Sequence, residues 1–77
     1  MELKYVIIDH VHPIVFAPTF SHDKMTVHGN VTSAAFVQFS AGDNAVLGVE
    51  VYGRSFSLDL DPDPADARLL QAYFESY

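Results

Sequence analysis

The stretch FSLDLDPDPADA, residues 56–67, decides the fold predicted for this chain. Its first half alternates apolar and polar residues, which places Phe56, Leu58 and Leu60 on one side and the polar residues between them on the other. A period of two is typical of a half-buried strand. The stretch therefore predicts the last strand of a sheet with an apolar face that another element must cover.

The second half of the same stretch predicts the start of that covering element. Asp63 is a favourable N-cap, Pro64 suits the first helical position, and Asp66 in the first turn is favourable to the helix dipole. The apolar residues that follow recur at helical spacing and form one stripe. These residues are Leu69, Leu70, Tyr73, Phe74 and Tyr77. We therefore expect a C-terminal helix that packs on one face of the sheet.

Upstream of this stretch, runs rich in β-branched and aromatic residues predict further strands. These predicted strands are residues 3–9, 14–17, 31–40 and 45–52. A turn is predicted at 42–44, and a short helical turn at 21–28 with Ser21 as its N-cap. Within 31–40, Val31, Ser33, Ala35, Val37 and Phe39 are expected on one face. The sequence thus predicts an α+β fold for residues 1–77 as one domain. Its antiparallel sheet has four to five strands with one C-terminal helix packed on one face.

A single helix covers only one face of such a sheet. Val6, Ile8, Phe36 and Tyr52 are expected on the other face, and a large exposed apolar patch is uncommon on a soluble monomer. This predicts a homodimer or a larger protein partner. The alternative is a twisted sheet whose second face is covered by the segment 18–30.

Composition limits the classes of function. The chain has 77 residues, no cysteine and a formal net charge of −6. Without cysteine there are no disulfides and no thiolate ligands, and no apolar run is long enough to span a membrane. We expect a cytoplasmic protein that begins at Met1. Its four Lys and Arg are dispersed, so nucleic acid is not an expected ligand. Its carboxylates suit a basic protein surface instead.

The histidines supply the alternative function. His10 and His12 are two residues apart in an extended segment and project to the same side, as metal ligands on a strand do. His22 completes the alternative set, with Asp23 and His28 as further ligand types suited to zinc. The competing interpretation is a solvated hairpin loop. Catalytic serine and phosphate-binding motifs are absent from the sequence. The main prediction is no enzyme activity, cofactor or metal, and the alternative is a metal-binding domain, at most a minor hydrolase.

Four short patterns resemble small uncharacterised bacteriophage and prophage proteins. They are a Lys-Tyr-Val-Ile strand from Lys4, Ser-Ala-x-Phe-Val from Ser33, Gly-x-Ser-x-Ser-Leu-x-Leu from Gly53, and a Pro-x-Asp-Ala helix start at Pro64. The patterns are structural, so the resemblance implies a phage origin and a host cytoplasm but assigns no functional residue. The predicted function is a small non-enzymatic interaction or oligomeric module. Its expected surface is the second sheet face or the acidic edge 59–66, and the resemblance implies inhibition or diversion of a host protein as a hypothesis.

Overall fold

A computed structural model of the chain describes residues 2–41 and 47–75, and within them four antiparallel strands form one sheet. The strands are β1 (Glu2–Ile8), β2 (His12–Phe16), β3 (Val31–Ala41) and β4 (Leu47–Tyr52). A 3₁₀ helix, His22–His28, joins β2 to β3, and α1 (Asp66–Glu75) follows β4. The order across the sheet is β2-β1-β3-β4. The predicted α+β class, with an antiparallel sheet and a C-terminal helix packed on it, is confirmed.

Strand β1 lies inside the sheet and has apolar residues on both faces. Tyr5, Val6, Ile7 and Ile8 are all buried, and β1 pairs with β2 on one side and β3 on the other. Because successive side chains of a strand point to opposite faces, a continuous apolar run needs cover on both. Both faces of the sheet are indeed covered, each by a different element.

Helix α1 covers the first face. Leu70 is buried there and Leu69 and Phe74 pack around it, as the apolar stripe predicts. Tyr73, expected in the stripe, is 40% exposed instead, and Tyr77 lies outside the described residues. The buried strand residues beneath the helix are Tyr5, Ile7, Ala35 and Val37.

The start of α1 is capped as the sequence predicts. The backbone N–H of Ala65 donates to Oδ1 of Asp63 at 2.9 Å, and the N–H of Asp63 donates to Oδ2 of Asp66 at 2.9 Å. Each aspartate side chain therefore accepts a hydrogen bond from a backbone N–H at the start of the helix, as in a capping box.

The second face is covered by the segment between β2 and β3 together with residues after β4. Val6, Ile8 and Ala34 are buried on this face. The partly buried residues packed against them are Ile14, Phe16, Met25, Val31, Leu58 and Leu60. The expectation of an uncovered face is wrong for Val6 and Ile8, and the alternative in which the segment 18–30 provides cover is confirmed. The homodimer inferred from that expectation stays a prediction.

A β-bulge changes the predicted alternation of β3. The β1 and β3 pairing runs regularly to Ile7 and Ser33 and then shifts so that Ile8 lies opposite Val31, leaving Thr32 as the extra residue. The shift moves Val31 to the second face, so its predicted place beside Ser33 is wrong. The Thr32 hydroxyl donates to the Ile7 carbonyl at 3.2 Å and accepts the His10 N–H at 3.0 Å, which holds the bulge against the first hairpin.

The predicted fifth strand is not present in the described residues. Gly53, with φ of 73°, ends the run of β4, and residues 55–60 form a closed loop in place of a strand. Ser55 and Leu60 pair with each other as an isolated bridge. The predicted turn at 42–44, and residues 45 and 46 of the fourth predicted strand, lie outside the described residues.

None of the helices in residues 2–41 and 47–75 combines the length and apolarity needed to cross a membrane.

Candidate functional site

The loop that replaces the predicted fifth strand is closed by its own backbone. We call residues 54–61 the Phe56 loop. The N–H of Ser55 donates to the Leu60 carbonyl at 2.9 Å, and the N–H of Leu60 donates back to the Ser55 carbonyl at 3.1 Å. Between them, Asp59 takes φ of 52°, a left-handed conformation that aspartate tolerates better than most residues. The two reciprocal bonds fix the ends of the loop.

Side chains inside the loop fix its direction. Ser55 is fully buried, and its Oγ accepts the Leu58 N–H at 3.3 Å. Leu58 and Leu60 pack into the second-face cluster. Phe56 takes the opposite direction and is 82% exposed. A large aromatic side chain is thus presented to solvent from a loop anchored on both sides.

Arg54 connects the base of the loop to its tip. One terminal guanidinium nitrogen donates to Oδ1 of Asp59 at 2.6 Å, and Nε lies 3.2 Å from Oδ1 of Asp61 without the alignment of a hydrogen bond. The guanidinium carbon lies 5.5 Å from the centre of the Phe56 ring, within cation–π range. Exposed ion pairs of this kind contribute about 0.2–1 kcal/mol each. Their main effect here is to orient the Arg54 side chain along the loop.

A shallow depression follows the loop directly along the chain. It has a volume of about 360 Å³. It is lined by Val51, Pro62, Asp63, Pro64 and Ala67, so it lies between β4 and the start of α1. Its walls are mostly apolar, with one carboxylate that already caps the helix. Phe56 and Arg54, in contrast, are of the side-chain types that dominate protein interfaces.

The histidines proposed as metal ligands are not assembled into a site. No group of three or more His, Asp or Glu side chains in residues 2–41 and 47–75 is placed to hold a metal ion. His10 and His12 are exposed, and His10 lies in the left-handed turn of the first hairpin with φ of 67°. His22 is 3% exposed, and its Nε2 lies 2.8 Å from the Ala35 carbonyl. The alternative ligand set of His10, His12 and His22 therefore has no support in the described residues.

The ring of His22 occupies an apolar niche. The rings of Phe16 and Phe36 lie nearly perpendicular to it, at 5.6 and 5.7 Å between ring centres. Because the Ala35 carbonyl can only accept, we assign the proton to Nε2. Burial lowers the pKa of His22 below its ordinary range, although the hydrogen bond to Ala35 acts in the opposite direction. The sequence interpretation of His22 as a ligand missed this role, which depends on rings from two distant strands.

A second buried polar group joins α1 to the sheet. Asp66 is 1% exposed. Its Oδ2 accepts the Tyr5 hydroxyl at 2.6 Å and its Oδ1 accepts the Ser33 hydroxyl at 2.9 Å. Burial is the main cause that raises the pKa of Tyr5, and the bond to the Asp66 carboxylate raises it further. All three side chains are enclosed, so no substrate reaches them and the network acts as a structural joint.

Sequence reasoning had placed two of these residues differently. For Asp66 the sequence predicts a favourable interaction with the helix dipole, and for Phe56 a place on the covered face of a strand. The Asp63-Pro-Ala-Asp66 spacing does carry a signal for Asp66, because a carboxylate three residues after an N-cap can complete a capping box. Nothing in the neighbouring sequence distinguishes Phe56 as exposed, because its alternation with Leu58 is equally typical of a half-buried strand.

Comparisons of the chain with protein-family models, with curated proteins and with solved structures found no match.

Proposed function

We propose that this chain is a small, non-enzymatic protein-interaction module that binds its partner through the Phe56 loop. The observation that carries the proposal is the 82% exposure of Phe56 on a loop closed by reciprocal backbone bonds. An aromatic residue on a loop whose backbone is already closed loses little backbone freedom when a partner buries it. Such residues, together with arginine, dominate the energy of protein interfaces.

Charge indicates the kind of partner. The chain carries a formal net charge of −6, and Asp59 and Asp61 flank the loop with side chains that are 91% and 77% exposed. A partner with an apolar pocket surrounded by basic side chains complements this surface in both shape and charge. We accordingly expect binding to weaken as salt rises, because exposed charges are screened.

The proposal includes two kinds of partner. One is a second copy of this chain, as the homodimer prediction has it, and the other is a larger protein. The charge argument favours the larger protein, because a second copy carries the same net charge of −6. If the chain is phage-encoded, as the resemblance implies, that larger protein belongs to the host and the setting is the host cytoplasm. The metal-binding alternative is not pursued, because no observation in the described residues favours it.

The test compares two equally exposed apolar residues. Val27 in the 3₁₀ helix is also 82% exposed, so Val27→Ala is a matched control for Phe56→Ala. Both variants and the wild type are used to capture proteins from a bacterial lysate and are examined for self-association by light scattering. We expect Phe56→Ala to lose a captured protein or a dimer that wild type and Val27→Ala retain.

The two readouts separate the partners. Loss of a dimer in Phe56→Ala identifies a second copy as the occupant, and loss of one captured protein identifies a heterologous partner. The same captured proteins and the same mass for all three chains would contradict the proposal.

A further inference from the structure

The element that covers the second sheet face is attached weakly for its length. We call residues 17–30 the cover. His22 is its one buried residue, and Met25 is half-buried against the strands. Several of its backbone bonds are local, among them Phe20 N–H to the Ala17 carbonyl at 3.1 Å and Lys24 N–H to the Ser21 carbonyl at 3.1 Å. These bonds stabilise turns within the cover and do not attach it to the sheet.

Three hydrogen bonds join the cover to the strands and to the first hairpin in the described part of the chain. At one end, Nζ of Lys4 donates to the Phe20 carbonyl at 2.8 Å, and at the other the Asp9 N–H donates to the Asn30 carbonyl at 2.9 Å. Between these ends, the bond from the His22 ring to the Ala35 carbonyl holds the centre. The attachment of the middle of the cover thus depends on one titratable side chain.

The surroundings of that side chain favour its neutral form. Strands β2 and β3 contribute the uncharged rings of Phe16 and Phe36. Strand β1 contributes Lys4, whose positive charge disfavours a second cation, and the 3₁₀ helix contributes Asp23, which favours one. A cation enclosed by aromatic rings loses its hydration, and a single exposed carboxylate compensates only part of that cost.

We propose that protonation of His22 releases the cover from the second sheet face while the sheet and α1 stay folded. Release exposes Phe16 and Phe36 together with Val6 and Ile8, which lie further along the same sheet face. Mild acid then converts a covered sheet face into an accessible apolar surface. This conformational device does not require the binding function proposed for the Phe56 loop.

The direction of the pH effect follows from proton linkage. Burial lowers the pKa of His22 in the closed state, whereas the exposed ring in the open state has an ordinary pKa near 6.5. The open state therefore binds the proton more tightly. Above about pH 6.5, proton binding does not favour the open state. Below that value, the equilibrium constant for opening rises roughly tenfold per pH unit until the closed-state pKa is reached.

Hydrogen exchange at two pH values tests the proposal. Protection factors, corrected for the intrinsic pH dependence of exchange, are measured at about pH 7.5 and pH 5 for wild type, His22→Gln and His28→Gln. His28 is exposed on the same helix, so its variant is the matched control. We expect acid to lower protection of the cover in wild type and His28→Gln, by up to about thirtyfold at pH 5, with β1 and β3 unchanged.

The glutamine variant keeps a side-chain donor but cannot titrate. Its cover is expected to have the same protection at both pH values, whether that protection is high or low. Three results would overturn the proposal: acid-dependent opening that persists in His22→Gln, loss of protection in β1 and β3 together with the cover, or a wild-type cover unchanged at pH 5. A histidine proton titration by NMR gives a second readout, in which the transition of His22 coincides with opening.

Discussion

The two faces of the sheet are covered by elements that pack against the strands to very different extents. On the first face, α1 places Leu69, Leu70 and Phe74 over the strands and adds the buried Asp66 joint. On the second face, the 3₁₀ helix contributes His22 and Met25, and the Phe56 loop adds two leucines. A regular helix repeats its apolar stripe every turn, whereas a seven-residue 3₁₀ segment presents few residues to the sheet. We infer that packing on the first face supplies most of the free energy of folding, and that the cover of the second face can detach while the first face stays packed.

The strongest test of this contrast removes the joint on the first face. Asp66→Ala leaves the buried hydroxyls of Tyr5 and Ser33 and the partly buried N–H of Asp63 without their acceptor. We expect a loss of about 4 kcal/mol in the free energy of unfolding, measured by urea denaturation with circular dichroism. This is a large share of the roughly 5–15 kcal/mol typical of native domains.

Asp63→Ala is the matched control for that variant. It removes an exposed carboxylate from the same turn and the cap on the Ala65 N–H, so its expected cost is about 1 kcal/mol. Equal costs for the two variants would mean that the buried joint adds nothing beyond helix capping.

A smaller effect is expected at the end of the cover on the second face. Gly29 has φ of 142°, and a Cβ added there would lie 2.7 Å from Cγ2 of Ile8. Gly29→Ala therefore combines backbone strain with a steric clash, and we expect a cost of about 2 kcal/mol in urea denaturation. Asn30→Ala, at the neighbouring exposed position, is expected to change stability by no more than about 0.5 kcal/mol. Indistinguishable curves for these two variants would show that the cover does not pack closely on Ile8.

The smallest effect concerns the part of the second face beyond the cover. There the Tyr52 hydroxyl donates to a Glu2 carboxylate oxygen at 2.6 Å, and this bond is the main cause that raises the pKa of Tyr52 to about 12. We expect Glu2→Gln to lower this pKa toward its ordinary value near 10, as followed by ultraviolet absorbance. Glu50→Gln is the control and should lower it less, because Glu50 acts only through its charge.

The raised pKa of Tyr52 makes the stability of the fold depend on pH. A phenol whose pKa is raised on folding stabilises the fold below its ordinary pKa near 10, and that contribution is lost as pH rises toward about 12. An unchanged titration in Glu2→Gln would contradict the assigned cause.

How much of this structure the sequence predicts depends on how local the determining contacts are. The capped start of α1 and the apolar run of β1 are written in neighbouring residues, and both were predicted. The prediction of a fifth strand is wrong because alternation shows which side chains point the same way. It does not show which backbone groups pair with those of the segment. Ser55 and Leu60 pair with each other, so the same alternation closes a loop.

The candidate site was less predictable than the fold for the same reason. Phe56 was assigned to the core on its spacing from Leu58, and only the closed loop places the two in opposite environments. His22 was considered as a metal ligand, but its burial depends on Phe16 and Phe36, which belong to different strands. Contacts of that kind are invisible to pattern and spacing within one segment.

The bond between Tyr5 and Asp66 also constrains the order in which the chain folds. It joins residues 61 positions apart, whereas β1 and β2 are neighbours in sequence and form a local hairpin. Closing so long a chain segment costs more entropy than closing a hairpin, so the hairpin is expected to form early and the joint late. During synthesis the ribosome must therefore release Asp66 before the hydroxyl of Tyr5 finds its acceptor. Until then, a nascent chain carries the first sheet face open to chaperones and to other chains.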